Sequence, residues 1–318
     1  MDSLKTDSTK DNYIYWLNKY LDYTKKKNHD ELLQDTPDQI QLKIEDYVMG
    51  LKRRQKSKSA IKVSLYALFH FFAMNRVILN EKIIKKLMPE EDSKKRQAYT
   101  TEDVTKILEA IDNNKIKKHK KWYFRKPRAR ALVHFFASSA VRLGSIPIMK
   151  FEDIEKIENC YLIRVYAKTR HEYLTFLTPE ASKSLDDYLA TRTNLINDSS
   201  LFEMNYDAIR RLIYRLIIRA KVSPFTTVIK ENSWNKIDQD WNKTSSRLFL
   251  DVPMVHGFRS RWNTIMKNNN EINKSSIEVM MGHTPEIKLD ANYYKPTKEN
   301  LFQEFKKGID PLTIYRDV

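Results

Sequence analysis

The chain has 318 residues, 41% of them hydrophobic, and a formal net charge of +16. That length suits two domains, that apolar content builds a real core and weighs against global disorder, and the positive excess points to a polyanionic partner, most commonly nucleic acid. A single cysteine excludes an internal disulfide framework and a cysteine-based zinc site, while five glycines, with no G-x-x-x-x-G-K-[ST] or G-x-G-x-x-G, argue against nucleotide hydrolysis.

Met1-Asp2-Ser3-Leu4-Lys5 lacks the apolar stretch of a signal peptide, and no run of about 18 apolar residues follows, so a cytoplasmic protein with no membrane span is expected. The first ninety residues read as helical. Tyr13, Trp16, Leu17, Tyr20 and Leu21 share one helical face. The stretch Asp35 to Asp38, with Pro37, predicts a helix start, continued by the stripe Ile40, Ile44 and Val48. Ile61, Leu65, Leu68, Phe69 and Phe72 mark a further helix. Its leading edge is cationic, and Arg53, Arg54, Lys56 and Lys58 are candidate contacts to a phosphate backbone; the alternative is a solvated loop.

Pro89 to Ala98 is polar and charged and predicts a linker, dividing the chain into residues 1–88, 89–98 and 99–318. A helix capped by Thr101 follows, with Val104, Ile107, Leu108 and Ile111 inside. Asn113 to Arg130 is strongly basic and is interrupted by Trp122, Tyr123 and Phe124. Lys121 and Arg125 are therefore further nucleic-acid candidates, against the alternative of a loop pinned to its own domain. Ala129, Leu132, Val133 and Phe136 predict a buried helix running toward Arg142; His134 within it reads as a core histidine. Residues Tyr161 to Ala167 and Glu172 to Thr178 predict two strands joined by Lys168-Thr169-Arg170-His171, the only strong sheet signal in the chain. Cys160 reads as a small core residue. Ile209, Leu212, Ile213 and Leu216 give another helix, and residues 221 to 252 stay ambiguous.

The C-terminal part carries the chemistry. His256 and Arg259 lie three positions apart and share a side if that segment is helical. Met281-Gly282-His283 follows a short apolar helix, and Tyr293 and Tyr294 come soon after. A phenol with a pKa of about 10 must lose its proton as it attacks a phosphodiester; the transition state needs fixed cations, and the leaving oxygen needs a proton. Arg142, Lys168, His256, Arg259, His283 and one tyrosine supply those roles, with no metal or cofactor required. Each pair alone is weak: an isolated His-x-x-Arg is commonly a surface pair, and two tyrosines are commonly packing aromatics.

The ordered set resembles the tyrosine recombinase, or phage-integrase, family over roughly the last two thirds of the chain. The family pattern of Arg, hairpin Lys, His-x-x-Arg, Gly-His and Tyr falls on Arg142, Lys168, His256, Arg259, His283 and Tyr293. Met281-Gly282-His283 with Tyr293-Tyr294-Lys295-Pro296-Thr297 looks closest to archaeal integrases and Xer-like recombinases. The resemblance implies a mainly α chain with a small antiparallel β-sheet: a helical core-binding domain plus a catalytic domain of the DNA breaking–rejoining fold. It implies a site-specific recombinase in which Tyr293 forms a 3′-phosphotyrosyl link, Arg142, Arg259 and His283 hold the phosphate, Lys168 protonates the leaving oxygen and His256 assists. It further implies double-stranded DNA as partner, with a dimer at each site and a tetramer in synapsis.

Two departures stand. Ser145 occupies the position where many members carry an acidic buttress. The usual spacing from the Gly-His histidine lands on Asn292, so Tyr293 is preferred and Tyr294 remains open. A type IB topoisomerase and a non-catalytic DNA-binding protein on a decayed recombinase fold are the competing readings. Leu301, Phe302, Phe305, Ile309 and Leu312 form an apolar stripe that docks either on its own domain or on a neighbouring protomer.

Overall fold

The computed structural model describes residues 7–90, 97–112, 120–222, 225–233, 243–250, 254–285 and 288–315. Most of the predicted linker, and residues 113–119 of the basic segment, lie outside that set. The chain divides into two compact units, one of Met1–Lys94 with Val228–Arg247, the other of Lys95–Thr227 with Leu248–Val318. Among the described residues no helix is long and apolar enough to cross a membrane.

The first unit is built from α1 (Asp7–Thr24), α2 (Pro37–Arg53), α3 (Lys58–Met74) and α4 (Glu81–Lys86). Local chemistry starts α2: Thr36 Oγ1 accepts from the Gln39 amide, the Gln39 side chain accepts from the Thr36 amide, and Pro37 takes the first helical position. Ile40, Ile44, Tyr47, Val48 and Leu51 are buried along one stripe. They meet Leu17, Tyr20, Ile61, Leu65, Leu68 and Phe72 in a single core. The cationic segment is a tight corner rather than a long loop: α2 ends at Arg53, Ser57 caps α3, and Lys58 is its first residue.

The second unit contains α5 (Thr101–Asp112), α6 (Lys120–Ser139), β1 (Ile154–Ile157), β2 (Cys160–Val165), β3 (Tyr173–Leu177), α7 (Pro179–Leu189) and α8 (Tyr206–Ala220). Next in the chain are the strands β4 (Phe225–Ser233) and β5 (Lys243–Leu250), most of whose residues belong to the first unit. Then come α9 (Met254–Asn268), α10 (Lys274–Met280), α11 (Lys288–Tyr293), α12 (Lys298–Lys306) and α13 (Ile309–Leu312). Several details differ from the sequence expectation. Thr100, not Thr101, exchanges hydrogen bonds with Asp103 at the start of α5. The basic stretch is helical from Lys120, so Trp122, Tyr123 and Phe124 belong to α6. A third strand, β1, was not predicted, being short and only partly buried; it pairs with β2 from Ile154↔Ile163 to Ile157↔Cys160. Within the ambiguous segment, Phe225–Ser233 and Lys243–Leu250 pair as the two-stranded sheet β4–β5.

Helix α6 is the centre of this unit. From Ala129 to Ala137 it is buried almost all round, which explains why its apolar residues show no single stripe. The antiparallel β2–β3 pair, in register from Tyr161↔Leu177 to Val165↔Tyr173, separates two core regions. Tyr161, Ile163, Val165, Tyr173 and Leu177 face the α6 core, while Cys160, Leu162 and Phe176 face α9, α10 and α12. Alternate side chains of a strand point to opposite faces, so these strands are covered on both. The C-terminal stripe packs within its own unit: Phe302 and Phe305 each lie 5.3 Å, centroid to centroid, from Phe176.

His134 on α6 is a core residue, 3% exposed. Its Nδ1 lies 4.0 Å from Glu180, too far for a hydrogen bond, and that carboxylate accepts the amides of Ile314 and Tyr315. Burial, with Arg130 nearby, pushes His134 down to about 3 from an ordinary 6.5. The unfolded chain therefore takes up a proton that the folded chain refuses. This contribution is complete above about pH 6.5 and declines as pH falls toward about 3, by up to about 5 kcal/mol. Thermal unfolding of the wild type is expected to weaken more steeply below about pH 6.5 than that of His134→Gln; parallel declines would refute this.

Candidate active site

Helix α6 ends at Ser139, and Ala140 adopts a left-handed conformation (φ 54°) that turns the chain out of the core. The next residues form a 3-10 turn over Leu143–Ile148. Ser145 bonds the backbone of a site residue and not its guanidinium: its hydroxyl donates to the Arg142 carbonyl at 2.7 Å. Arg142 is thereby placed at the mouth of the core, where its guanidinium donates weakly to the Gly282 carbonyl at 3.4 and 3.5 Å.

Helix α9 brings up the second arginine. Phe258 faces the α6 core and Trp262 the other, so Arg259 between them is 4% exposed. Its Nη1 donates to the Ala140 carbonyl, and its Nη2 donates to the Met281 carbonyl at 2.6 Å and to His283 Nε2 at 2.7 Å. Burial, with Arg142 beside it, holds this guanidinium below its usual value. Guanidinium still keeps its proton in proteins, so two fixed cations stand together. His256, one helical turn earlier, is exposed.

The Gly-His pair is fixed by the end of α10. Gly282 has φ 63°, its amide donates to Val279 O, and the His283 amide donates to Glu278 O, which is the Schellman closure. A Cβ at Gly282 would also meet the Tyr173 ring at 2.5 Å. Glycine is therefore required twice over, by conformation and by space. Glu278, 6% exposed, lies beneath the turn. Its carboxylate is 2.8 Å from His283 Nδ1 and 2.6 Å from Lys267 Nζ. Burial alone would raise the Glu278 carboxyl, but Lys267 and His283 together hold it below the usual range.

Arg142, His256 and Arg259 line one cavity of about 270 Å³, shared with Tyr206 and Arg210 of α8. Arg259 links that cavity to His283. Lys168 is not among its lining residues. It sits in the β2–β3 connection with φ 62°, bonded to Glu152 at 2.8 Å, and lines a separate small cavity with Ser145 and Glu152. The two tyrosines differ sharply. Tyr293, at the end of α11, is 78% exposed and has no hydrogen-bond partner among the described residues. Tyr294 shares a 2.5 Å hydrogen bond with Ser276 Oγ, and its amide donates to Asp290 O.

Tyr206, Arg210, Lys267 and Glu278 were not singled out from the sequence. Arg210, Arg211 and Arg215 fall on the exposed face of α8 opposite Ile209, Ile213 and Leu216, a pattern the apolar stripe already contained. These three arginines have no ion pair among the described residues. Of the cationic candidates, Arg53 and Arg125 are exposed, Arg54, Lys56 and Lys58 are half-buried, and the Lys121 side chain lies outside the described set. Among the described residues there is no cluster of three or more His, Cys, Asp or Glu able to hold a metal ion.

Residues 97–300 match the phage integrase family. No curated protein is matched. The chain is similar in fold to XerH site-specific recombinase, solved in a post-cleavage complex with its palindromic difH substrate: 16% identity, 90% of this chain and 80% of that one, TM-score 0.57. It is also similar to the Tn1549 transposon integrase in complex with a circular intermediate DNA: 13% identity, 93% of this chain and 98% of that one, TM-score 0.54.

Proposed function

The chain belongs to the phage integrase family and is by that membership a site-specific DNA recombinase; on that premise we propose that it cuts and rejoins duplex DNA through Tyr293. The phenol oxygen attacks the phosphorus, the bond to the 5′ oxygen breaks, and a 3′-phosphotyrosyl link stores the bond energy for rejoining to another 5′-hydroxyl. Arg142 and Arg259 neutralise the charge that grows on the phosphate, with His283 donating beside them. His256 handles a proton at the cavity, and Lys168 leaves Glu152 to protonate the departing oxygen. The observation that carries this reading is the convergence of two arginines and two histidines on one surface, with a tyrosine in the same unit that is 78% exposed and has no hydrogen-bond partner among the described residues.

Residues 1–88 form a helical DNA-binding domain in this reading, 89–98 the linker, and 99–318 the catalytic domain. The protein works on DNA in the cytoplasm. Recombining two duplexes needs four strand cuts, and each consumes one tyrosine, so a dimer at each site and a tetramer in synapsis follow from the chemistry. A duplex selected by the protein from a random pool, then nicked to trap the cut strand, is expected to yield a denaturation-resistant adduct in EDTA. Tight binding without an adduct at any nick would support the binding-only alternative, and relaxation of one circle without exchange would support the topoisomerase.

The exposed arginines of α8 serve the same partner. Each phosphate contact releases counterions and contributes about 0.9 to the slope of log K against log salt. Substituting Arg210, Arg211 and Arg215 together by Ala is expected to lower that slope by about 2 to 3 and to weaken binding to all sequences. An unchanged slope in a salt titration would remove α8 from the interface.

A further inference from the structure

The acidic support expected at the position of Ser145 is absent, yet a buried carboxylate touches the site from a different element. Glu278 on α10 is 2.8 Å from His283 Nδ1 through one oxygen, and its other oxygen is 2.6 Å from Lys267 Nζ on α9. The protonation pattern follows from donors and acceptors alone. Arg259 has only N–H donors, so His283 Nε2, 2.7 Å away, must accept. The imidazole hydrogen then lies on Nδ1 and is donated to Glu278. The backbone enforces the same pairing, because the Schellman closure bonds the His283 amide to the Glu278 carbonyl. The charged groups around the imidazole are Glu278 beneath it, Arg259 and Lys267 from α9, and Arg142 through the Gly282 carbonyl; the Tyr173 phenol of β3 packs under Gly282.

We infer that Glu278 is a positioning residue for strand cleavage: it holds His283 with Nδ1 protonated and Nε2 turned toward Arg259, where the scissile phosphate enters. When phosphate displaces the Arg259 contact, Nε2 takes a proton from solvent and donates that N–H to a phosphate oxygen, while the anionic carboxylate balances the imidazolium. Lys267 keeps Glu278 anionic and fixed. The role assigned to Glu278 rests on reading this site as the cleavage centre, but the tautomer it imposes does not.

The test uses the full chain labelled with 15N-histidine, with His283 assigned through His283→Gln. Without DNA, long-range nitrogen–proton correlation is expected to show the Nδ1–H form at His283, and a mixture in Glu278→Ala. On the trapping duplex, Glu278→Ala is expected to slow adduct formation about 10- to 100-fold, the range found for carboxylate partners of metal-bound histidines, with DNA affinity within about threefold. If the alanine variant does not fold, Glu278→Gln, which keeps the shape and loses the charge, is expected to slow the adduct in the same sense. An Nε2–H form in the wild type overturns the inference, and so does an unchanged adduct rate in both variants. Should the wild type form no adduct at all, the cleavage reading and the catalytic role of Glu278 fall together, and the tautomer remains as a structural finding.

Discussion

Tyr293→Phe is expected to abolish the covalent protein–DNA adduct, by a factor on the order of 10⁴ or more, while leaving DNA affinity nearly unchanged. The expected loss is that large because, in the proposed mechanism, the phenol oxygen is the atom that forms the bond, and a phenyl ring has nothing to replace it. Tyr294→Phe is expected to keep the adduct. The Tyr294 hydroxyl is tied to Ser276, which is fully buried, and losing that bond leaves a buried polar group and costs about 1 to 3 kcal/mol of stability. Tyr293, 78% exposed, has no such hydrogen bond among the described residues to give up. Denaturing gels of trapped reactions, alongside thermal unfolding, separate the two residues. An adduct that survives in Tyr293→Phe and vanishes in Tyr294→Phe would move the nucleophile by one position.

Arg259→Lys is expected to produce the second largest effect. The lysine keeps a positive charge but loses the planar fork that donates at once to Ala140, Met281 and His283. Cleavage is expected to fall about 10²- to 10³-fold, the range found when one fixed donor to a developing oxyanion is removed, with DNA binding within a few-fold. Arg259→Ala is expected to destabilise the fold as well, since two buried carbonyl groups lose their donor. Equal losses of binding and cleavage in Arg259→Lys would mean that the residue serves ground-state affinity and not the transition state. Single-turnover adduct rates set beside equilibrium binding make that distinction.

Local signals were legible where the responsible residues are neighbours in sequence. Pro37 and the stripe from Ile40 to Val48 located α2, although the Thr36–Gln39 exchange that caps it appeared only in the structure. The β-branched and aromatic content of Tyr161 to Ala167 and Glu172 to Thr178 located the hairpin, whose strands run over Cys160–Val165 and Tyr173–Leu177. Elements with weak local signals were missed: β1 is four residues long and only partly buried, and β4–β5 lies in a polar stretch. In the site, the arginines, histidines and tyrosines could be nominated from residue type, order and the family resemblance. Glu278 and Arg210 were not, because a carboxylate or an arginine on a helix is ordinary until its neighbours are known.

Composition and order of residues alone pointed to a polyanionic partner, excluded an internal disulfide and nominated groups able to act on a phosphodiester, since charge, residue type and spacing of a few positions are properties of the chain itself. Which of those groups meet was left to folding. Arg142 reaches Gly282 across 140 residues and Arg259 reaches Ala140 across 119, contacts that no local pattern encodes. The same packing held Lys168 on Glu152, tied Tyr294 to Ser276 and left Tyr293 exposed, with no hydrogen-bond partner among the described residues. Side chains of like chemistry become different in function because burial and partners, set by long-range contacts, decide which one is held and which one is released.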